Sequence, residues 1–86
     1  MADADALATI RRLAAAGRFY ILPHARQRAA VRGVKPGDIR YGLEHARAAT
    51  WQAEHATWRV ESSDLDGDVL TLAVAIEASV IVVTVF

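Results

Sequence analysis

The spacing of apolar residues changes midway along this chain of 86 residues, and that change constrains the fold more than any other feature. Before residue 47, apolar side chains recur every three or four positions, as on one face of an α-helix. After residue 47 they follow a period of two, which is typical of strands with one buried face. The chain is therefore expected to fold as a single α+β domain, with N-terminal helices packed on one face of a sheet.

Three helices are predicted in the first half of the chain. The first lies within residues 1–16, the second runs from Pro23 to Gly33, and the third begins at Pro36. Proline suits the first turn of a helix and glycine the position just after its end. Residues 19–22, between the first two helices, are predicted to form one short strand or an extended entry into the second helix.

Four strands are predicted in the second half, as two successive hairpins. A polar turn at residues 64–68 separates the two hairpins, so the predicted sheet is a four-stranded antiparallel β-meander. Acidic and polar residues interrupt the last apolar run at Glu77 and Ser79, which favours strands over a membrane span and predicts no membrane partner. The predicted strands are residues 49–53, 57–62, 69–76 and 80–86.

Charge is distributed unevenly, although the formal net charge is zero. Residues 1–47 carry nine cations and four carboxylates, whereas residues 48–86 carry one cation and six carboxylates. Such asymmetry is found in proteins that present a basic face to RNA, and also in compact domains whose halves neutralise each other. The absence of cysteine excludes disulfides and thiolate metal sites, and a cytoplasmic location is expected.

No metal site and no cofactor are predicted. The acidic turn at residues 64–68 lacks the glycine position and the bidentate Glu of a calcium loop. His24, His45 and His55 match no local spacing of zinc ligands. The acidic residues are expected in a turn exposed to solvent, and the histidines are expected at the ends of helices or in a loop.

Two tryptophans, Trp51 and Trp58, are predicted to lie opposite each other on neighbouring strands. Cross-strand packing of two large aromatic side chains accounts for this arrangement. A platform on which nucleic-acid bases stack is the alternative interpretation.

The second predicted helix places His24, Arg28 and Arg32 four residues apart, so that their side chains form one stripe. An imidazole beside two guanidinium groups can move a proton next to a bound phosphodiester. Arg32 projects close to the side of Ala25 and Ala29, so the stripe is predicted to border the core and its arginines to be anchored there. The alternative is an arginine-rich surface helix without function.

The same segment resembles a family of small uncharacterised bacterial domains related to the RelE, MqsR and BrnT toxins. Its mark is a strand followed by the pattern H-A-x-x-R-x-x-x-R-G, which is found here from Phe19 to Gly33. Asp38-Ile39, Leu43 and the apolar pattern of the last two strands extend the likeness. It covers residues 17–86 of a single toxin-like domain spanning residues 1–86, with residues 1–16 as a helical N-terminal extension.

This resemblance implies a RelE-like fold, metal-independent cleavage of messenger RNA, possession of an antitoxin partner and action on mRNA or the ribosome. His24, Arg28 and Arg32 match the motif and are the predicted catalytic residues. Arg26 and Arg40, together with Arg28 and Arg32, are predicted to bind RNA phosphates. The chain is thus interpreted as the toxin-like component of a toxin–antitoxin system.

Two positions depart from the family pattern. Thr71 stands where relatives tend to have a histidine, and Phe86 where they tend to have a tyrosine, so both proton donors are missing. Glu54, His55 and Glu61 are the remaining candidates for a second acid or base beside His24. The alternative functions are a catalytically inactive module that holds RNA or a protein, and a structural subunit that forms a homo-oligomer through a sheet edge.

Overall fold

The computed structural model describes residues 1–86 and has an α+β architecture of three helices and one sheet. The helices are α1 (Asp3–Ala15), α2 (Pro23–Val31) and α3 (Pro36–Glu44). None of them is long and apolar enough to cross a membrane. The strands are β1 (Phe19–Ile21), β2 (Ala48–Gln52), β3 (Thr57–Ser63), β4 (Val69–Ile76) and β5 (Val80–Val85).

The sheet has five strands and is mixed, not the four-stranded antiparallel meander expected from the sequence. Its order is β1-β5-β4-β3-β2, and β1 pairs parallel to β5 with Tyr20 opposite Ile81. The segment at residues 19–22, for which the sequence left two alternatives, thus supplies the additional strand. Because α2 packs against β5, an unpaired β5 edge would leave buried backbone groups without partners, and β1 satisfies them.

The helices and the inward side chains of the sheet share one apolar core. A cluster of 19 buried residues includes members of all three helices and of every strand. Residues 1–16 are integral to this core, since α1 buries Ala6, Ile10, Leu13 and Ala14. Trp51 and Trp58 face each other across β2 and β3 as predicted, with ring centroids 5.0 Å apart.

The other side of the sheet, here called the open face, carries no helix. Side chains that alternate with the core residues point to it, among them the exposed Tyr20, Arg59 and Val69. A β-bulge at Val83 interrupts the pairing of β4 with β5, since Thr84 lies opposite Ala73 but Val82 lies opposite Val74. Bulges redirect the side chains around them, and this one changes which side chains at the end of β5 point to the open face.

Candidate functional site

The helix that carries the predicted stripe is short and rests on small side chains. Pro23 opens α2, and Gly33 ends the segment with φ at +72° while the Val34 N–H donates to the Ala29 carbonyl at 2.8 Å. Only Ala25 and Ala29 are buried. Since two alanines make the whole contact with the core, the remaining faces of α2 are free for other contacts.

The three residues of the stripe follow one another along this free surface. His24 and Arg28 lie one helical turn apart on α2, and Arg32 is the first residue after the helix, with φ −91° and ψ 0°. All three are exposed, and the His24 imidazole has no hydrogen-bond or ion-pair partner within the chain. We refer to His24, Arg26, Arg28 and Arg32 together as the α2 surface.

Two of its arginines are anchored to the sheet by their Nε atoms. Arg28 donates to the carbonyl of Val85 at 3.4 Å, and Arg26 donates to the carbonyl of Ile21 at 3.3 Å. These are long hydrogen bonds that leave the terminal nitrogens free. Arg32 makes no side-chain hydrogen bond, so the expected anchoring is found at Arg28 and not at Arg32.

The cations of the α2 surface have no carboxylate partner. The 32 residues from Ala6 to Gly37 contain seven Lys or Arg residues and no Asp or Glu. The molecule has two ion pairs, Arg40 with Glu44 and Arg59 with Glu61, and neither involves α2. The positive charge of this surface is therefore uncompensated and available to an external anion.

Arg40, the fourth predicted phosphate-binding residue, has a different environment. Its Nε lies 2.8 Å from Glu44, its Nη2 donates to the Ala15 carbonyl at 3.3 Å, and its guanidinium lies 5.9 Å from the Phe19 ring centroid. These contacts connect α3 with the end of α1 and with β1. The phosphate-binding role expected of Arg40 from the sequence is untested, and its ion pair with Glu44 makes it less available to an external anion than the arginines of α2.

The structure brings none of the proposed second acid or base groups to His24. Glu61 lies 3.6 Å from Arg59 on β3, and Glu54 and His55 lie in the turn between β2 and β3. His24 follows β1, whereas that turn follows β2, and these two strands form opposite edges of the sheet. At about 4.8 Å per strand, the two edges are roughly 19 Å apart.

The two positions that depart from the family pattern are neighbours in space. The Phe86 N–H donates to the Thr71 carbonyl at 3.0 Å, directly after the Val85 carbonyl that Arg28 contacts. Neither a threonine nor a phenylalanine exchanges a proton near neutral pH. The two positions therefore contribute no acid or base at the end of β5, and Arg28 and the Phe86 ring lie there instead.

A groove on the open face was not predicted from the sequence. It has a volume of about 480 Å³, and the guanidinium of Arg59 lies 5.6 Å from the ring centroid of Phe86 at its side. We call it the sheet groove. Its lining consists of Gln52, His55, Thr57, Arg59, Thr84 and Phe86, over Ala73 and Val83.

The sequence predicts the exposed orientation of some groove residues, but not the groove itself. On β3, polar residues at alternate positions indicate a face turned away from the core, and they include Thr57 and Arg59. Their meeting with Thr84 and Phe86 depends on strand pairing over some 25 residues, which residue spacing does not reveal. From the sequence, His55 is a candidate zinc ligand that lacks the required spacing and a candidate second group for His24, and neither interpretation predicts its place in the groove.

Comparison of the chain with protein-family models, with curated proteins and with solved structures found no match. The toxin-like assignment consequently depends on the residues of the H-A-x-x-R-x-x-x-R-G motif and their neighbours, and it stays a prediction.

Proposed function

We propose that the protein is a toxin-like RNA-binding protein whose α2 surface binds RNA phosphates. The observation that carries the proposal is the set of guanidinium groups on α2 that have no carboxylate partner, within a stretch of 32 residues free of Asp and Glu. The choice of RNA over other polyanions follows from the family that the motif resembles.

The geometry of Arg28 suits a phosphate. Its Nε donates a long hydrogen bond to the Val85 carbonyl, and both terminal nitrogens remain as donors. A guanidinium presents two parallel N–H groups to a phosphate, which gives directional and charge-assisted hydrogen bonds. Arg32, four residues further along the chain, would contact the next phosphate of an extended strand.

A small basic surface on a chain of zero net charge predicts RNA binding that is weak and sensitive to salt. The affinity should depend strongly on salt, because each phosphate contact releases counterions. It should also be modest, since only a few cations contribute. Such a protein would rely on a second macromolecule, such as the ribosome, to position its RNA.

Metal-independent cleavage of messenger RNA is the second candidate function. The unpartnered, exposed imidazole of His24, one turn from Arg28, favours it. In that reaction the RNA 2′-hydroxyl loses its proton and attacks the adjacent phosphorus, and the 5′-oxygen leaves with a proton. His24 would serve as base or acid, and Arg28 would stabilise the charge on the phosphate oxygens.

None of the candidate second groups, Glu54, His55 and Glu61, lies on the elements beside His24. Cleavage therefore requires a group from a partner such as the ribosome. An antitoxin, or a second copy of the chain at the free edge of β2, is the corresponding partner for the protein-binding alternative.

Binding is tested by fluorescence anisotropy with a labelled single-stranded RNA of 12 nucleotides. The Arg28→Ala, Arg32→Ala double variant should bind at least about tenfold more weakly, since a hydrogen bond to a charged group contributes about 1.5–3 kcal/mol. Arg40→Ala is the matched control, because it removes the same charge from a position that is already paired with Glu44. Its RNA affinity should stay within about twofold of that of the parent. Equal affinity of all three proteins would overturn the proposal.

Cleavage is tested by growth on induced expression and by incubation of mRNA with purified ribosomes. If His24 is catalytic, the parent cleaves mRNA and His24→Ala does not, while its RNA affinity stays close to that of the parent. If the parent protein binds RNA but does not cut it, with or without ribosomes, the cleavage function is rejected and only the binding function remains.

A further inference from the structure

We propose, on the basis of the RNA binding proposed above, that the sheet groove holds one unpaired nucleobase of the RNA whose phosphates contact α2. The groove lies on the open face between the turn after β2 and the end of β5. Its volume of about 480 Å³ lies within the range of sites that bind small molecules.

The charges around the groove favour a neutral ligand. Arg59 is the permanent cation of its lining, and Glu61 lies 3.6 Å from the Arg59 Nε on the same strand. The carboxylate offsets the positive charge, so the groove has less attraction for a phosphate than the α2 surface has. A nucleobase is planar and uncharged, and it can stack on a guanidinium as well as on an aromatic ring.

The side chains of the groove supply both kinds of contact that a base requires. Phe86 is 47 % exposed and offers a ring, with Arg59 beside it at 5.6 Å from the centroid. The Gln52 amide and the hydroxyls of Thr57 and Thr84 each donate and accept hydrogen bonds, as the edges of a base do. The small Ala73 beneath them leaves room for a flat group to lie against the sheet.

The groove and the α2 surface adjoin at the end of β5, where a groove residue follows directly on a residue that Arg28 contacts. Arg28 contacts the carbonyl of Val85, and Phe86 is the next residue in the chain. The Phe86 N–H is in turn fixed to the Thr71 carbonyl at 3.0 Å, which holds the backbone of this residue against β4. An RNA strand that places a phosphate at Arg28 can therefore turn the attached base over the end of β5 and onto the open face.

The test compares a short single-stranded RNA with an abasic strand of the same length, which keeps the phosphates and lacks the bases. Phe86→Leu removes the ring and keeps an apolar side chain, and Gln52→Ala removes the amide. Both should weaken binding of the RNA by about fivefold or more and leave the abasic strand unaffected. Val69→Ala, on the open face outside the groove, is the matched control and should change neither affinity.

The outcomes separate this inference from the proposed function. If Arg28→Ala weakens binding of both strands while Phe86→Leu and Gln52→Ala weaken neither, RNA binding stands and the groove has no role in it. If the parent binds neither strand, both proposals fail. Thermal melting of each variant establishes that the fold is kept, since Phe86 and Gln52 lie at the surface.

A second measurement locates the ligand directly. Titration of the isotope-labelled protein with uridine 5′-monophosphate should shift the amide resonances of the groove strands, and inorganic phosphate should shift those of α2. Shifts confined to α2 with both ligands would overturn the inference. Shifts in the groove with inorganic phosphate alone would overturn it as well, because they would identify an anion site.

Discussion

Helices α2 and α3 are equal in length and both begin with proline, yet they contact the rest of the molecule differently. Each has nine residues, and they follow one another in the chain. Helix α3 buries Ile39 and Leu43 completely or nearly so, whereas α2 buries only two alanines. Helix α3 is thus held by apolar burial, and α2 is a short scaffold for exposed side chains.

The polar residues of the two helices differ in the same way. In α3 the Asp38 carboxylate accepts hydrogen bonds from the N–H groups of Lys35 and Leu65, and Arg40 pairs with Glu44. In α2 no side chain caps the first turn, and its arginines have no carboxylate partner. Polar groups satisfied within the fold stabilise it, and polar groups left without partners are available for binding.

The largest expected difference between the two helices concerns the core. Leu43→Ala in α3 should lower the free energy of unfolding by about 2–5 kcal/mol, because it removes a fully buried side chain and leaves a cavity. Val31→Ala in α2 changes an exposed side chain, so its free energy of unfolding should stay within about 0.5 kcal/mol of that of the parent. Urea denaturation of both variants measures the difference, and equal losses would contradict the distinction.

A second comparison uses two glycines within α3. A Cβ at Gly42 would lie 2.7 Å from Leu70 Cδ2 and 3.4 Å from the Ser63 carbonyl oxygen, so Gly42→Ala should cost about 1–3 kcal/mol. A Cβ at Gly37 would meet only Leu65 Cδ1 at 3.9 Å. Gly37→Ala should therefore be neutral or stabilising by up to about 1 kcal/mol. Melting temperatures of the pair test how closely α3 approaches β3 and β4.

The cap of α3 predicts a smaller, pH-dependent effect. Hydrogen bonds from the Lys35 and Leu65 N–H groups lower the pKa of Asp38 below its ordinary value of 3.8. A group whose pKa is lower in the folded state stabilises the protein above its unfolded pKa, and this stabilisation is lost as the pH falls through the folded value. Asp38→Asn should thus lower the urea midpoint at pH 7 and flatten its decline below about pH 4.

Asp66→Asn is the control for that experiment, since the Asp66 carboxylate accepts no hydrogen bond within the chain. Its urea midpoint should follow that of the parent at both pH values. A decline below about pH 4 that is as steep in Asp38→Asn as in the parent would show that other carboxylates cause it.

Local patterns in the sequence predicted local structure correctly. The pairing of Trp51 with Trp58 follows from one hairpin, and the end of α2 follows from Gly33, which adopts a positive φ. Arg40 and Glu44 are four positions apart in α3, which is the spacing of an ion pair on a helix. These features involve residues fewer than ten positions apart.

Features that join distant segments were not predicted. The three residues of β1 carry no pattern that specifies a parallel partner some 60 positions later, although this pairing makes the sheet mixed. The sheet groove joins β2, β3, β4 and β5 through strand pairing and a bulge. The stripe on α2 could be predicted from the four-residue spacing of its members along a helix. The absence of acidic side chains paired with it could be established only from the folded structure.

The central claim is that the unpaired arginines of α2, and not the paired Arg40, contact RNA phosphates. The salt dependence of RNA affinity tests it most directly, because the slope of log affinity against log salt counts the phosphates contacted. For a single strand, removal of Arg28 or Arg32 should each reduce the slope by about 0.7, and Arg40→Ala should leave it unchanged. Slopes that are the same for the parent and for both α2 variants, or a reduction of equal size in Arg40→Ala, would contradict the account.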